Sequence, residues 1–242
     1  MQTLHRRARL AMLLAPIALV QGLLLRRSLP RLPEAPGERE GSFGQGKQPL
    51  RLLAIGESPL AGVGLADQGE TLAARLAELL ADRVKRPVQW QTAARGGVTA
   101  RQTRERLVER LDPTPASLIL IGLGVNDSLK QQGPERWQRD LVALIESLRA
   151  RVGPAPVILT GVPDMGQFPA LPAPLSILLG TRARLLDAAA AELAETLEQV
   201  QHVAMPLDAR IKDLFCHDGF HPSAEGHQRW AEHLLQATLE QL

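Results

Sequence analysis

The sequence predicts an α/β domain with three layers, α/β/α, around a five-stranded parallel sheet. Short apolar runs alternate with longer segments of helical periodicity, and no internal repeat interrupts this alternation. Strands of a parallel sheet are buried on both faces, so they read as continuous apolar runs joined by helices. A length of 242 residues, with 45% apolar and 22% charged residues, is enough for one such globular domain.

The predicted elements begin near residue 50 and alternate regularly. The predicted strands are 51–55, 88–92, 117–122, 156–160 and 201–204. The predicted helices are 71–83, 99–111, 134–151, 181–199 and 223–241. Between the fourth strand and the next helix, residues 161–180 contain four prolines and are predicted to form an irregular loop. Long loops in compact domains are often functional.

Two segments precede this predicted domain, which spans residues 50–242. An apolar run at 10–25 has arginines on both sides, including Arg26 and Arg27. It is short for a membrane-spanning helix, which needs about 20 residues, and long for the core of an export signal. For residues 1–27 a membrane anchor, a cleaved export signal and a helix packed on the domain all stay open. The expected location is therefore a membrane, in either orientation, or the periplasm.

Residues 28–49 are rich in proline, glycine and charge, which predicts a linker. The charge is also uneven: the first 51 residues carry about +6, while the remainder carries about −4. A mildly acidic domain behind a basic leader does not fit a nucleic-acid-binding protein, which places Lys and Arg on its folded surface. Cys216 is the only cysteine, so no disulfide can form within the chain.

Ser58 follows the first predicted strand, directly before Pro59. Catalytic groups of open α/β sheets lie beyond the carboxyl ends of the strands, so this hydroxyl is a candidate nucleophile. The nearby glycines do not fit a dinucleotide-binding fingerprint, because Asp67 stands at the position of its third glycine. The G-x-S-x-G elbow fails as well, because its last position is Leu60. A turn or cap role is the structural alternative for Ser58.

Near the C-terminus, Asp218 and His221 are separated by two residues. A serine nucleophile needs a base, and the base needs a group that fixes its tautomer and stabilises its cation. This spacing lets the two side chains meet within one turn of chain. A turn aspartate and a packed surface histidine are the structural alternatives.

Two further motifs end the second and third predicted strands. Asn126 follows the third strand, where its side-chain amide can donate to a developing oxyanion or can form an Asx turn. After the second strand, Thr99 and Gln102 have the spacing of a helix capping box. Such a box leaves the Ala100 N–H free at a helix N-terminus, while Gly97 gives the backbone room for substrate.

Taken together, these four motifs resemble the four-block pattern of the SGNH (GDSL-like) hydrolase superfamily, from about residue 50 to the C-terminus. The resemblance implies the flavodoxin-like fold of that superfamily and assigns Ser58 as nucleophile, with Asp218 and His221 as its relay. It also implies an oxyanion hole formed by Asn126, the N–H of Ser58 itself and one N–H of the second block. That last donor is either Gly97 or Ala100.

Two positions depart from the family pattern: the glycine of the second block aligns with either Gly97 or Ala100, and Glu57 stands where the family has an aspartate. We expect this change to be tolerated, since the charge is kept.

The expected activity is hydrolysis of carboxylic esters through a serine acyl-enzyme, without cofactor or metal. Phospholipase or lysophospholipase, thioesterase and carbohydrate acetylesterase activities are the alternatives within the superfamily. The apolar side chains of 161–180 are expected to line the acyl site. Two alternatives come from other classes: an inactive membrane-tethered binding domain, and a metal-dependent hydrolase using His217, Asp218, His221 and His227.

Overall fold

The computed structural model describes residues 15–205 and 211–242, and six strands in these residues form one sheet. The strands are β1 (Glu40–Phe43), β2 (Leu50–Gly56), β3 (Val88–Ala94), β4 (Leu118–Gly122), β5 (Val157–Thr160) and β6 (Val200–Val203). Their order in the sheet is β1-β3-β2-β4-β5-β6. All neighbours are parallel except β1, which pairs with β3 in the antiparallel direction.

Helices cover both faces of the sheet in the described residues. They are α1 (Ala15–Ser28), α2 (Leu72–Val84), α3 (Ala100–Arg106), α4 (Val125–Leu129), α5 (Pro134–Val152), α6 (Leu175–Ala194) and α7 (Ala224–Leu239). Short 3₁₀ turns lie at Gln68–Glu70, Val108–Arg110, Met165–Gln167 and Lys212–Leu214.

The hydrophobic core is divided by the sheet into two clusters. Side chains of α2 and α7 pack on one face, and side chains of α3, α5 and α6 pack on the other. Every residue of β4 is buried, as its uninterrupted apolar sequence predicts for a central strand. The prediction of a three-layer α/β/α domain is confirmed, with six strands in place of five.

The additional strand is β1, which lies within residues 28–49. The interpretation of that segment as a linker therefore needs correction. Its residues are bonded to the domain: the Ala35 N–H donates to Gly62 O at 2.9 Å, and β1 pairs with the edge of β3. In that pairing Gly41 lies over the ring of Trp90, where a β-carbon would approach the indole nitrogen to 2.8 Å. Gly41 is therefore needed for this close contact, although glycine in the sequence alone is also typical of a linker.

The loop predicted at 161–180 is shorter than expected. Helix α6 begins at Leu175, six residues before the predicted start at 181, because Pro174 occupies its N-cap position and starts the helix. The remaining residues contain the Met165–Gln167 turn, and they bury Phe168 and Leu171 in the core.

Helix α1 is the described part of the apolar leader and packs against α6. In the part of the chain that the structure describes, no helix combines the length and the apolar character needed to cross a membrane. Residues 1–14 lie outside the described residues, so the anchor stays a prediction.

His227 in α7 is fully buried, and neither ring nitrogen has a hydrogen-bond partner among the described residues. Burial, together with the positive charges of His221 and Arg75, lowers the pKa of His227 to about 3. The unfolded chain, in which this histidine titrates near 6.5, therefore binds more protons between pH 6.5 and 3. The contribution of His227 to stability is lost as the pH falls through that range.

We expect His227→Leu to remove this acid sensitivity. As the pH falls from 6 to 4, the free energy of unfolding of the variant minus that of the wild type should rise by up to about 1.4 kcal/mol per pH unit. Denaturant titrations across this range measure the difference. The matched control is His233→Leu, since that histidine is on the same helix but exposed. A pH-independent difference for His227→Leu would contradict the prediction.

Candidate active site

Ser58 lies just beyond the carboxyl end of β2, where it lines a cavity in the described residues. Its side chain is nearly buried, and its carbonyl accepts the Val63 N–H at 3.1 Å. The Ser58 N–H has no acceptor within 15–205 and 211–242, and the next residue, Pro59, has no N–H to offer. A free donor therefore lies on the serine itself.

His221 and Asp218 are joined by their side chains. The distance from His221 Nδ1 to Asp218 Oδ2 is 2.6 Å, and the other carboxylate oxygen accepts the N–H groups of Phe220 at 2.9 Å and His221 at 3.0 Å. Burial raises the pKa of the Asp218 carboxyl, but the hydrogen bonds from His221 and Phe220 outweigh it, so the net pKa lies below its usual value. Asp218 is thus held as an acceptor that orients the imidazole.

His221 and Ser58 line the same cavity. In the described residues no hydrogen bond joins the Ser58 hydroxyl to His221, and such bonds are often long before substrate binds. The Asp218 carboxylate lies behind the imidazole, bonded to Nδ1, which leaves Nε2 for the hydroxyl. Asp218 and His221 thus have the arrangement of the acid and the base of a serine relay.

Asn126 lies in the first turn of α4, and its contacts are with Glu57. The Glu57 carboxylate accepts the N–H of Val125 at 2.9 Å, the N–H of Asn126 at 3.0 Å and, in a short bond, the side-chain amide of Asn126. An amide nitrogen carries two protons, so Asn126 keeps one for another acceptor. Burial raises the pKa of Glu57 to about 7, although the N–H groups of Asn126 and Val125 counteract that effect.

The second block gives one correction. The Thr99–Gln102 capping box forms as predicted, but the Ala100 N–H donates to Asp127 Oδ2 at 3.2 Å. The expectation that Ala100 has a free N–H is therefore wrong, because a buried carboxylate from α4 reaches the helix terminus first. Burial raises the pKa of this Asp127 carboxyl to about 7, against the opposing effect of the Ala100 N–H.

Gly97 is the remaining candidate in this block. Its φ is +81°, and no atom lies within 4 Å of the position that a β-carbon would occupy, so it faces open space. Its N–H has no acceptor among the described residues. The preceding Gly96 N–H is taken by Glu34 Oε1 at 2.9 Å, and a β-carbon on Gly96 would lie 4.0 Å from the Ser58 β-carbon. The loop therefore runs beside the serine.

Comparison of the chain with known families shows which enzymes it is related to. A model of the GDSL-like lipase/acylhydrolase family matches residues 54–229. The chain belongs to this family. It is 27% identical over 236 residues to a GDSL-like esterase of Mycobacterium tuberculosis, covering 90% of this chain and 74% of the relative.

Solved structures place the GDSL-like hydrolase among enzymes of the same fold. It superposes on TesA with a TM-score of 0.59 at 26% identity, covering 79% of this chain and 99% of TesA. A family 3 carbohydrate esterase of Clostridium thermocellum has a TM-score of 0.61 at 15% identity, over 80% of this chain and 96% of the other. The comparisons together support an esterase.

The cavity wall of this GDSL-like hydrolase is mostly apolar. Phe168 from the proline-rich segment meets Phe220 with ring centroids 5.2 Å apart and Phe215 at 5.5 Å. Leu123 and Trp230 complete the wall beside them. Phe168 confirms that residues 161–180 contribute to the cavity, although Leu171 and Leu175 pack in the core.

The metal alternative needs its four residues close together. Only Asp218 and His221 are bonded to each other; His217 is exposed, and His227 is buried in α7. Within the described ranges, no three His, Cys, Asp or Glu side chains form a group able to hold a metal ion.

The sequence did not reveal the roles of two carboxylates at the site of this GDSL-like hydrolase. In the sequence, Glu57 is only a departure from the family pattern. Its contacts with α4 form because β2 and β4 are neighbours in the sheet. Glu34 lies in the segment interpreted as a linker, and it bonds Gly96 and, at 2.5 Å, Arg39. No local signal marks Glu34, because its partner is 62 residues away.

Proposed function

We propose that this GDSL-like hydrolase cleaves carboxylic esters through an acyl-enzyme on Ser58. The observation that carries the proposal is that His221 lines the same cavity as Ser58 while its Nδ1 lies 2.6 Å from Asp218 Oδ2. His221 Nε2 takes the hydroxyl proton as Ser58 Oγ attacks the ester carbonyl, and it gives that proton to the departing alcohol. Water then attacks the acyl-enzyme, with His221 as base again.

The developing oxyanion would be bound by three donors around Ser58. They are the N–H of Ser58, the N–H of Gly97 and the second amide proton of Asn126, none of which has another acceptor in the described residues. Fixed donors of this kind stabilise the transition state because they need no reorganisation when the charge forms. Glu57 fixes the direction of the Asn126 amide.

The aromatic and aliphatic cavity wall favours an acyl chain as its occupant. Burial of apolar area is worth about 0.8 kcal/mol for each methylene group, or about fourfold in kcat/KM. We therefore propose acyl esters with an apolar chain as the substrate class, rather than acetylated sugars.

Kinetics on p-nitrophenyl esters of graded chain length test this proposal. We expect kcat/KM to increase with chain length by up to about fourfold per methylene until the cavity is filled. A fluorophosphonate should inactivate the enzyme with one adduct, on Ser58, while a chelator should have no effect. Inhibition by the chelator without labelling of Ser58 would overturn the serine mechanism, and a preference for acetyl esters would overturn the acyl assignment.

Asn126→Ala is expected to lower kcat by about 10²- to 10³-fold with little change in KM, because its donor is needed when the oxyanion forms. Glu57→Gln should act in the same direction but less strongly. Its amide nitrogen is a donor, so it cannot accept all three N–H groups that the carboxylate accepts. Steady-state kinetics separate the two constants. An effect of Asn126→Ala on KM alone would recast Asn126 as a substrate-binding or turn residue.

A further inference from the structure

Helix α1 exposes large apolar side chains on the side that faces away from the domain, unlike a surface helix of a soluble protein. The side that meets the domain carries Ala18, which is buried, together with Gln21 and Leu25. The other side exposes five large apolar side chains with 55% to 64% of their area accessible: Ile17, Leu19, Val20, Leu23 and Leu24. A helix on a soluble surface has its apolar stripe towards the core and its polar side chains outward.

The one uncharged polar side chain in the middle of α1 fixes the helix to the domain. The Gln21 amide donates to Ala173 O at 2.8 Å, and its oxygen accepts the Leu175 N–H at 3.0 Å. These two bonds join α1 to the start of α6, and Ala18 belongs to the same core cluster as Leu175. The direction of the exposed apolar face relative to the domain is thereby set.

The contacts of α1 lead directly to the candidate active site. Residues 165–175 run from the 3₁₀ turn to the point that Gln21 holds, and Phe168 within them lines the cavity and packs on Phe220. Ile177, in the first turn of α6, is an apolar side chain that is half exposed. Residues 165–175 therefore connect α1 to the wall of the cavity.

Charge and sequence identify what this face would contact. Arg26 and Arg27 end the helix and Arg31 follows, all exposed, where they can reach anionic headgroups while the apolar side chains enter the acyl region. Preceding residues 10–14 continue the apolar sequence. An exposed apolar patch with a basic rim matches a lipid surface better than a water-exposed protein face.

We propose that α1 holds the enzyme flat against an anionic lipid surface, with the 165–175 wall of the cavity beside the lipid, so that its substrates are esters of membrane amphiphiles. This inference rests on the proposed function for its substrate class, but the binding to lipid does not. It also replaces the expectation of a free linker, because α1 and residues 33–36 are both bonded to the domain.

Flotation of the full-length protein with vesicles tests the binding. We expect the wild type to float with phosphatidylcholine vesicles that contain phosphatidylglycerol, and less with phosphatidylcholine alone. The double variant Leu19→Gln/Leu23→Gln should partition at least about tenfold more weakly, because two exposed apolar side chains no longer enter the lipid. Leu242→Gln, which changes an exposed leucine at the C-terminus, is the matched control and should float as the wild type does.

Activity measurements separate binding from coupling to the active site. The double variant should hydrolyse a soluble p-nitrophenyl ester at the wild-type rate and an ester embedded in vesicles at least about tenfold more slowly. Gln21→Ala should still float, because its outward face is unchanged, but should lose rate on the embedded ester only.

Three results would count against parts of these proposals in different ways. Equal flotation of the double variant and the wild type would overturn the lipid-facing role of α1. A dimer of the wild type that dissociates in the double variant, without a change in flotation, would assign the face to a second copy. No turnover of any ester, with flotation as expected, would refute the proposed function and leave lipid binding standing.

Discussion

Replacing Ser58 by alanine is expected to lower kcat on a p-nitrophenyl ester by on the order of 10⁴- to 10⁶-fold. Ser58 directly follows β2 and lines the cavity, and without its hydroxyl no acyl-enzyme can form. The donors around it, Gly97 and Asn126, would remain and account for residual hydrolysis. Burst and steady-state kinetics with a single ester measure both effects.

The fold of this variant should be intact. Ser58 lines the cavity rather than the packed core, so removal of its hydroxyl should leave no buried polar group unpaired. The midpoint of thermal unfolding should therefore stay close to that of the wild type. Ser42→Ala, on the exposed side of β1, is the matched control and should keep full activity. Turnover by Ser58→Ala near the wild-type rate would end the proposed mechanism.

His221→Ala should cost nearly as much as loss of the nucleophile, because the hydroxyl then has no base and the leaving alcohol no acid. Asp218→Ala should cost less, about 10²- to 10⁴-fold, since base and nucleophile remain while the imidazole loses its 2.6 Å partner. Assays of kcat/KM on one soluble ester rank the variants.

His217→Ala is the control for the relay, since this exposed histidine is one residue from Asp218 and should be dispensable. If Asp218→Ala were as active as the wild type, another carboxylate would have to orient His221. Asp213 is exposed, and Asp208 lies outside the described residues. Loss of activity in His217→Ala with chelator sensitivity would favour a metal site.

The parallel sheet could be predicted because its strands carry their own signal. In β4 the sequence Leu-Ile-Leu-Ile is buried on both faces, and a run without alternation has few other uses in a domain of this size. The positions of Ser58 and Asn126 followed from the same signal, because the carboxyl ends of parallel strands meet at one edge.

Features that depend on distant partners could not be predicted. Ala100 has a locally correct capping box, yet its N–H is taken by Asp127, 27 residues away. Glu57 looked like a conservative change until its three N–H partners on α4 were known. In both cases the pairing of β3 and β4 with β2 brings a buried carboxylate close to its N–H donors.

Strand β1 has a consequence for where this domain can be shortened. A chain beginning at Lys47 would keep Ser58, Asn126 and His221, but it would lack the strand that covers the outer edge of β3. The N–H and C=O groups that β1 now occupies, from Val88 to Gln91, would then face water as a template for another chain. The ring of Trp90 would be uncovered on the same edge. A chain shortened to its catalytic blocks would thus exchange a paired sheet edge for an open one, and we expect it to self-associate before it loses activity.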